Sequence, residues 1–245
     1  MGTIALALLL ATAAEPGIAI EAVPGRGYTA AVEAFDSGAM TGVMERIKRA
    51  AAERCGSQGV RFGRHFFDTR VDTARKVMRI ENMRQSFYCF DPVTDPYKPV
   101  PADWTASPEE TAGVTVFVTR FLDRLDRGDA AGMTMMDPLV ELTRADWDGL
   151  REAAIQHRTG GAGTLTPKFQ LWANNPEEAA YPGAYALFSV IDDHPGIEGT
   201  CGGIVVYRVR ANEYRIAQYD VQYIATALVE QQGLTDAELD GLCQR

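Results

Sequence analysis

The chain has 245 residues, 24 of them Lys or Arg and 33 Asp or Glu, for a formal net charge of −9. Hydrophobic residues make up 46% and there is no low-complexity tract or internal repeat, which excludes disordered, collagen-like and repeat architectures. The charge is unevenly placed: residues 15–105 hold 13 basic and 12 acidic side chains, residues 106–245 hold 11 and 21, and residues 45–84 hold 11 and 5. That local basic surplus fits a solvated face, docking on the acidic second half, or an anion-binding face.

Ile4 to Ala14 (IALALLLATAA) is an apolar run ending in small residues, with Ala11, Thr12 and Ala13 in the small-x-small pattern of a cleavage site. It is too short to cross a hydrocarbon core, which takes roughly 20 residues of helix. No Lys or Arg precedes it. We expect residues 1–14 to be a signal peptide, cut near Ala14 or Glu15, and the protein to be periplasmic or secreted. Export turns Cys55, Cys89, Cys201 and Cys243 from thiols into disulfide candidates. No later stretch is long and apolar enough for stable membrane insertion, and an exported chain rarely meets nucleic acid, so neither partner is expected.

In chain order, Thr41 to Arg54 carries Val43, Met44, Ile47, Ala50 and Ala51 at helical spacing, with Thr41 as its expected cap. Cys55 and Gly56 end it, and β-type runs follow at Val60–Phe67 and Val77–Phe90. This order of helix, Cys, Gly, strand, turn and strand with Cys resembles a small α+β unit common in exported proteobacterial proteins. Asp91 to Pro108 holds five of the twelve prolines and no periodic pattern, so it reads as a semi-rigid connector. The expected division is a small α+β disulfide-containing domain over 15–91, a proline-rich linker over 92–106, and a second domain over 107–245.

The second domain opens on Ser107, Pro108, Glu109 and Glu110, a capping box with proline at the first helical position. Val114, Phe117, Val118, Phe121, Leu122 and Leu125 then form one apolar stripe that Gly128 stops. A second helix is expected over Asp129–Met136. A third is capped by Thr143 and Asp146, presents Trp147, Leu150 and Ala154, and ends at Gly160. From Lys168 the signal turns to strands at 168–172, 185–191, 202–209 and 214–224, with a turn at Ala211, Asn212 and Glu213. Helices followed by an antiparallel meander predict the α+β class, with the helices on one sheet face. Leu234 to Leu239 is a last capping box, and the short helix it opens carries Cys243. Of the three connectivities open to four cysteines, Cys55–Cys89 with Cys201–Cys243 is the one that respects the domain boundary. Each bridge would be worth roughly 3–4 kcal/mol.

Several of these segments resemble a known family. They are FLDRLDRGDAAGM in the first helix and its turn, Trp147 with His157, Arg158, Thr159 and Gly160, Pro182 to Tyr185, and the closing hairpin VVYRVRANEYRIAQY. Over about residues 107–225 the chain is similar to exported bacterial domains of unknown function on the nuclear-transport-factor-2-like fold, the cone-shaped architecture of ketosteroid isomerases and dehydratases. The tryptophan usual in the closing hairpin is Tyr214 here. The resemblance implies helices packed on a curved antiparallel sheet, with a pocket inside the cone as the place for any ligand.

Chemistry is thinly signalled. Asp192, Asp193 and His194 form the densest titratable cluster, but they precede Pro195 and Gly196 and make good turn chemistry. Asp220, among Tyr219, Gln222 and Tyr223, is the catalytic candidate, since a buried Asp beside tyrosines could act as a base. The competing reading is an outward Asp on a half-exposed strand. Ligand candidates are Tyr219, Tyr223, Trp147 and Arg158. His65, His157 and His194 show no metal-ligand spacing, and no phosphate loop, serine-hydrolase elbow, dinucleotide fingerprint or redox CxxC pair occurs. No metal and no cofactor is expected.

The leading expectation is therefore an exported, non-catalytic binding or protein-interaction module whose partner is a small molecule or an envelope protein. Two alternatives stand beside it. One is an isomerase, lyase or hydrolase using the cone, with Asp220 as base and the tyrosines as donors. The other is a binder of envelope polymer or another anionic surface through the basic stretch 46–84. A homodimer formed through the sheet is a further expectation.

Overall fold

Residues 16–24, 27–72, 76–177, 179–235 and 239 are described by the computed structural model, in which the chain divides into two units between Pro92 and Val93. Helices and antiparallel sheets build both units, the expected α+β class. Among the described residues no helix is long and apolar enough to cross a membrane.

The first unit is a five-stranded sheet carrying one helix. Strand β1 (Ile18–Val23) pairs with β2 (Gly27–Val32), and β2 and the short β3 (Phe35–Asp36) share one edge of β5 (Val77–Phe90). Strand β4 (Gly59–Asp72) takes the other edge of β5 as a long hairpin arm. Helix α1 (Met40–Cys55) buries Val43, Ile47, Ala51 and Cys55, every fourth residue, against Ala30, Phe35, Ile80, Met83 and Phe87. It starts one residue before Thr41, behind a 3-10 turn over Ser37–Ala39, with no side-chain cap. Thr41 is thus inside the helix and does not cap it.

The root of the arm is fixed in two ways. Cys55 at the end of α1 is bridged to Cys89 of β5, as expected, which closes a loop of sequence separation 34. By the loop-entropy relation such a bridge contributes roughly 3–4 kcal/mol. Beside it the ladder slips between the Phe62 and His65 pairs, and buried Gln85 fills the irregularity. Its Nε2 donates to the carbonyls of Gly63 (2.9 Å) and Ser86 (3.0 Å), while Ser86 Oγ donates to Arg64 O (3.0 Å).

The second unit is a meander of β6 (Leu165–Asn174), β7 (Ala184–Asp192), β8 (Ile197–Arg210) and β9 (Glu213–Ala225), paired in chain order. Helix α2 (Pro108–Arg127) is specified at both ends: Ser107 accepts from the Glu110 N–H, and Gly128 takes the left-handed conformation that stops it. Helix α3 (Arg144–Ile155) has the expected Thr143–Asp146 capping box but ends before Gly160. The helix expected over Asp129–Met136 is a 3-10 turn over Ala130–Met135, followed by another at Pro138–Val140. A short α4 (Thr226–Gln232) follows β9. The capping box expected to start at Leu234 lies largely outside the described residues.

Both sheet faces are covered. On one, the α2 stripe and Trp147 pack on Ala186, Phe188, Ile204, Val206 and Ile216. On the other, Tyr181, Tyr185 and Tyr207 form a second apolar layer with Tyr97 and Leu139. The proline-rich stretch expected to be a linker supplies part of that cover. Residues 93–106 hold neither helix nor strand, yet they run along the second unit as a strap. Tyr97 lies tilted against Tyr181 (4.1 Å between centroids), Trp104 meets Trp172 edge-on (5.4 Å), and Val100 and Asn175 exchange two hydrogen bonds of 3.0 and 2.9 Å. Proline-fixed extended backbone cannot join a ladder, so these side-chain contacts hold it instead.

Candidate functional site

Of the four ligand candidates, Arg158 stands at the centre of a buried ionic cluster. It follows α3 and reaches two carboxylates: Nη1 bonds Asp126 near the end of α2, and Nη2 bonds Asp192 at the end of β7 (3.1 Å). The Arg158 side chain is 12% exposed and that of Asp192 0%. The second oxygen of Asp192 accepts from the His194 N–H (2.9 Å) and lies 2.6 Å from His194 Nδ1. Asp193 turns outward and is bonded by the Thr164 N–H, which holds its carboxyl below the usual carboxylate range. For Arg158, burial pulls the pKa down, and the hydrogen bonds and charges of Asp126 and Asp192 outweigh it and raise it.

Tyr219 and Tyr223 face inward and share a hydrogen bond of 2.6 Å between their hydroxyls. Burial pushes both phenols above their ordinary pKa, and the Asp192 charge adds to this. They stay neutral donors at physiological pH. Both oxygens of Asp192 are occupied, one by Arg158 and one by His194. The cluster therefore holds charge between α2, α3, β7 and the following turn, and leaves neither oxygen of Asp192 unbonded.

Trp147 is core. It is fully buried, sits edge-on to Phe121 (5.7 Å between centroids), and lies so close to Gly132 that a Cβ there would be 2.3 Å from the ring. Trp147 thus packs in the core, while Arg158 pairs with carboxylates.

Asp220 is exposed, which is the competing reading of an outward Asp on the strand. The reason is a bulge. Val206 pairs with Ile216, but Val205 pairs with Gln218, so Ala217 is an extra residue that reverses the alternation of β9. Tyr214 and Ile216 face the core before it, Tyr219, Val221 and Tyr223 after it, and Asp220 is turned to water. Asp220→Asn should change stability by under about 0.5 kcal/mol in a denaturant titration. A shift of more than about 1 kcal/mol would contradict this placement.

Cys201 lies in β8 and is disulfide-bonded, while its expected mate Cys243 lies outside the described residues. Among the described residues no group of three or more His, Cys, Asp or Glu side chains could hold a metal ion.

The feature that residue patterns did not reveal is the exposure of the β4 arm. Residues 64–71 are exposed without interruption, on both faces of the strand. Phe66 is 52% exposed, Phe67 37%, Val71 67%, and Met78, directly opposite Val71, 47%. Cross-strand pairing puts His65, Phe67, Thr69 and Val71 on the face that α1 covers nearer the root, and His65 stacks on Phe67 (6.3 Å between centroids). Among the described residues no strand pairs with the outer edge of β4. The strand signal around Val60–Phe67 was readable, but whether a strand is central or at an edge depends on distant pairing. No protein-family model, no curated protein and no solved structure significantly matches this chain.

Proposed function

We propose that the protein is an exported, non-catalytic interaction module whose contact surface is the β4–β5 arm, and that its partner is an extended segment rich in acidic residues. The carrying observation is the unbroken exposure of residues 64–71 with Phe66, Phe67, Val71 and Met78 displayed. Natural edge strands are ordinarily blunted, and a long apolar edge is a template for another strand. A partner strand would gain main-chain hydrogen bonds along the edge and apolar cover from Phe67 and Val71. Charge chooses the partner: over residues 59–72 and 76–90 there are six basic side chains (Arg61, Arg64, Arg70, Lys76, Arg79, Arg84) against three acidic ones (Asp68, Asp72, Glu81). The Cys55–Cys89 bridge supports work outside a reducing compartment. Helices preceding an antiparallel meander in the second unit are in keeping with the nuclear-transport-factor-2-like likeness, which frames that unit as a support.

The test is binding of an alternating Glu/Val peptide to the intact protein, followed by fluorescence anisotropy across a salt series. We expect binding that weakens as salt rises, and a loss of at least about tenfold, or about 1.4 kcal/mol, in Phe67→Ser/Val71→Ser with an unchanged melting temperature. Equal binding by the variant, or no binding at low salt, would overturn the reading.

A further inference from the structure

The strap over residues 93–106 lies against the second unit as a peptide lies in a receptor groove. Side chains of the unit grip its main chain: Asn175 Oδ1 accepts from the Val100 N–H (3.0 Å), Asn175 Nδ2 donates to Val100 O (2.9 Å), and Asn174 Nδ2 donates to Trp104 O (2.8 Å). On either side of Val100 an aromatic ring is docked. Tyr97 enters the layer of Tyr181 and Tyr207 (4.1 and 5.8 Å between centroids), and Trp104 meets Trp172 with the Arg208 guanidinium 5.2 Å from its ring centre.

The groups that make this grip are oriented by partners other than the strap. Asn175 Oδ1 also accepts from the Gly183 N–H (2.9 Å), and the Asn175 N–H donates to Gly183 O (2.7 Å). The Trp172 indole N–H donates to Thr111 Oγ1 (3.1 Å), the Tyr181 hydroxyl donates to Asp137 Oδ1 (2.9 Å), and Arg208 Nε bonds Glu110. The groove is thus fixed by α2, the 3-10 turns and the strands. The strap in turn is built like a stiffened ligand. Pro96, Pro99 and Pro101 are exposed, so they add little cover, and their fixed φ lowers the entropy lost on docking.

We infer that this groove is a docking site for a partner protein's extended, proline-stiffened segment carrying a tyrosine and a tryptophan at the spacing of Tyr97 and Trp104, and that residues 93–106 are a resident segment which the partner displaces. The surface is separate from the β4–β5 arm and does not depend on its partner. Fluorescence anisotropy on the intact chain with a labelled synthetic peptide copying residues 93–106 tests it. Tyr97→Ser/Trp104→Ser strips both rings from the resident strap, leaves the groove unaltered and should bind the peptide. The wild type should bind it at least about a hundredfold more weakly, because a tethered segment competes at roughly millimolar effective concentration. A peptide with serine at both ring positions should lose at least about tenfold, and so should the double variant when Asn175→Gly, which suits that residue's left-handed backbone, is added. Pro99→Gly/Pro101→Gly keeps both rings and decides the matter if the double variant fails to fold: a loosened strap should raise peptide affinity over wild type at least about fivefold. Peptide binding that is absent from the folded double variant, unchanged in the proline variant, or equal for the serine peptide would overturn the inference. So would a wild-type dimer that the peptide dissociates, since the occupant would then be the strap of a second copy.

Discussion

Replacing Arg158 with methionine should destabilise the second unit by about 3–5 kcal/mol, the usual cost of removing one partner from a buried ion pair. The expense comes from what is left behind: Asp192, whose side chain is 0% exposed, would keep its charge with only His194 beside it. Asp126 matters less, because its side chain is 35% exposed and water can solvate it. For a unit of this size the change corresponds to roughly 6–20 °C in melting temperature, at about 2–4 °C per kcal/mol. The companion variant Arg158→Met/Asp192→Asn should recover a large part of the loss, since the stranded charge is gone. A denaturant series on both variants checks this. If Arg158→Met costs under about 1 kcal/mol, the cluster is a solvated surface network and not a clamp.

The second large effect is expected at Trp147. Truncation to alanine removes a fully buried indole from between Phe121 and Gly132, and such losses run at about 3–5 kcal/mol because the cavity closes only in part. The indole N–H has no hydrogen-bond partner, so its value lies in packing alone. Trp147→Phe should therefore cost less than half as much as Trp147→Ala. Equal costs for the two substitutions would mean that the indole nitrogen is engaged after all. Thermal unfolding of the pair gives the comparison directly.

What was legible in the residues was what local chemistry decides. Ser107, Pro108 and Gly128 marked α2 at both ends, and Thr143 with Asp146 marked the start of α3, because caps satisfy backbone groups within a few residues. The four strands of the meander were readable from alternation, and Asn212 adopts the left-handed conformation that its hairpin turn needs. Register was not readable. The single extra residue at Ala217 decides that Asp220 faces water while Tyr219 and Tyr223 face inward, and it shows only in the pairing with β8. The Arg158 clamp had the same obstacle, since Asp126 and Asp192 lie 32 and 34 residues away in sequence and topology alone brings them together. Strands β1 to β3 were not anticipated: β1 and β2 are six residues each with alanine at two positions, and β3 is only two residues long.

The strap over residues 93–106 has a consequence for the order in which the second unit is completed. During synthesis it emerges ahead of its meander partners, since Val100 and Asn175 are 75 residues apart. Tyr97 and Trp104 wait for Tyr181 and Trp172 while α2, α3 and much of the meander are made. Closing so long a loop before the tyrosine layer exists would cost entropy with nothing to offset it. The strap can therefore cover Tyr181, Tyr207 and Trp172 only after the strands that carry them are made, and an uncovered aromatic layer is the kind of surface on which nascent chains associate.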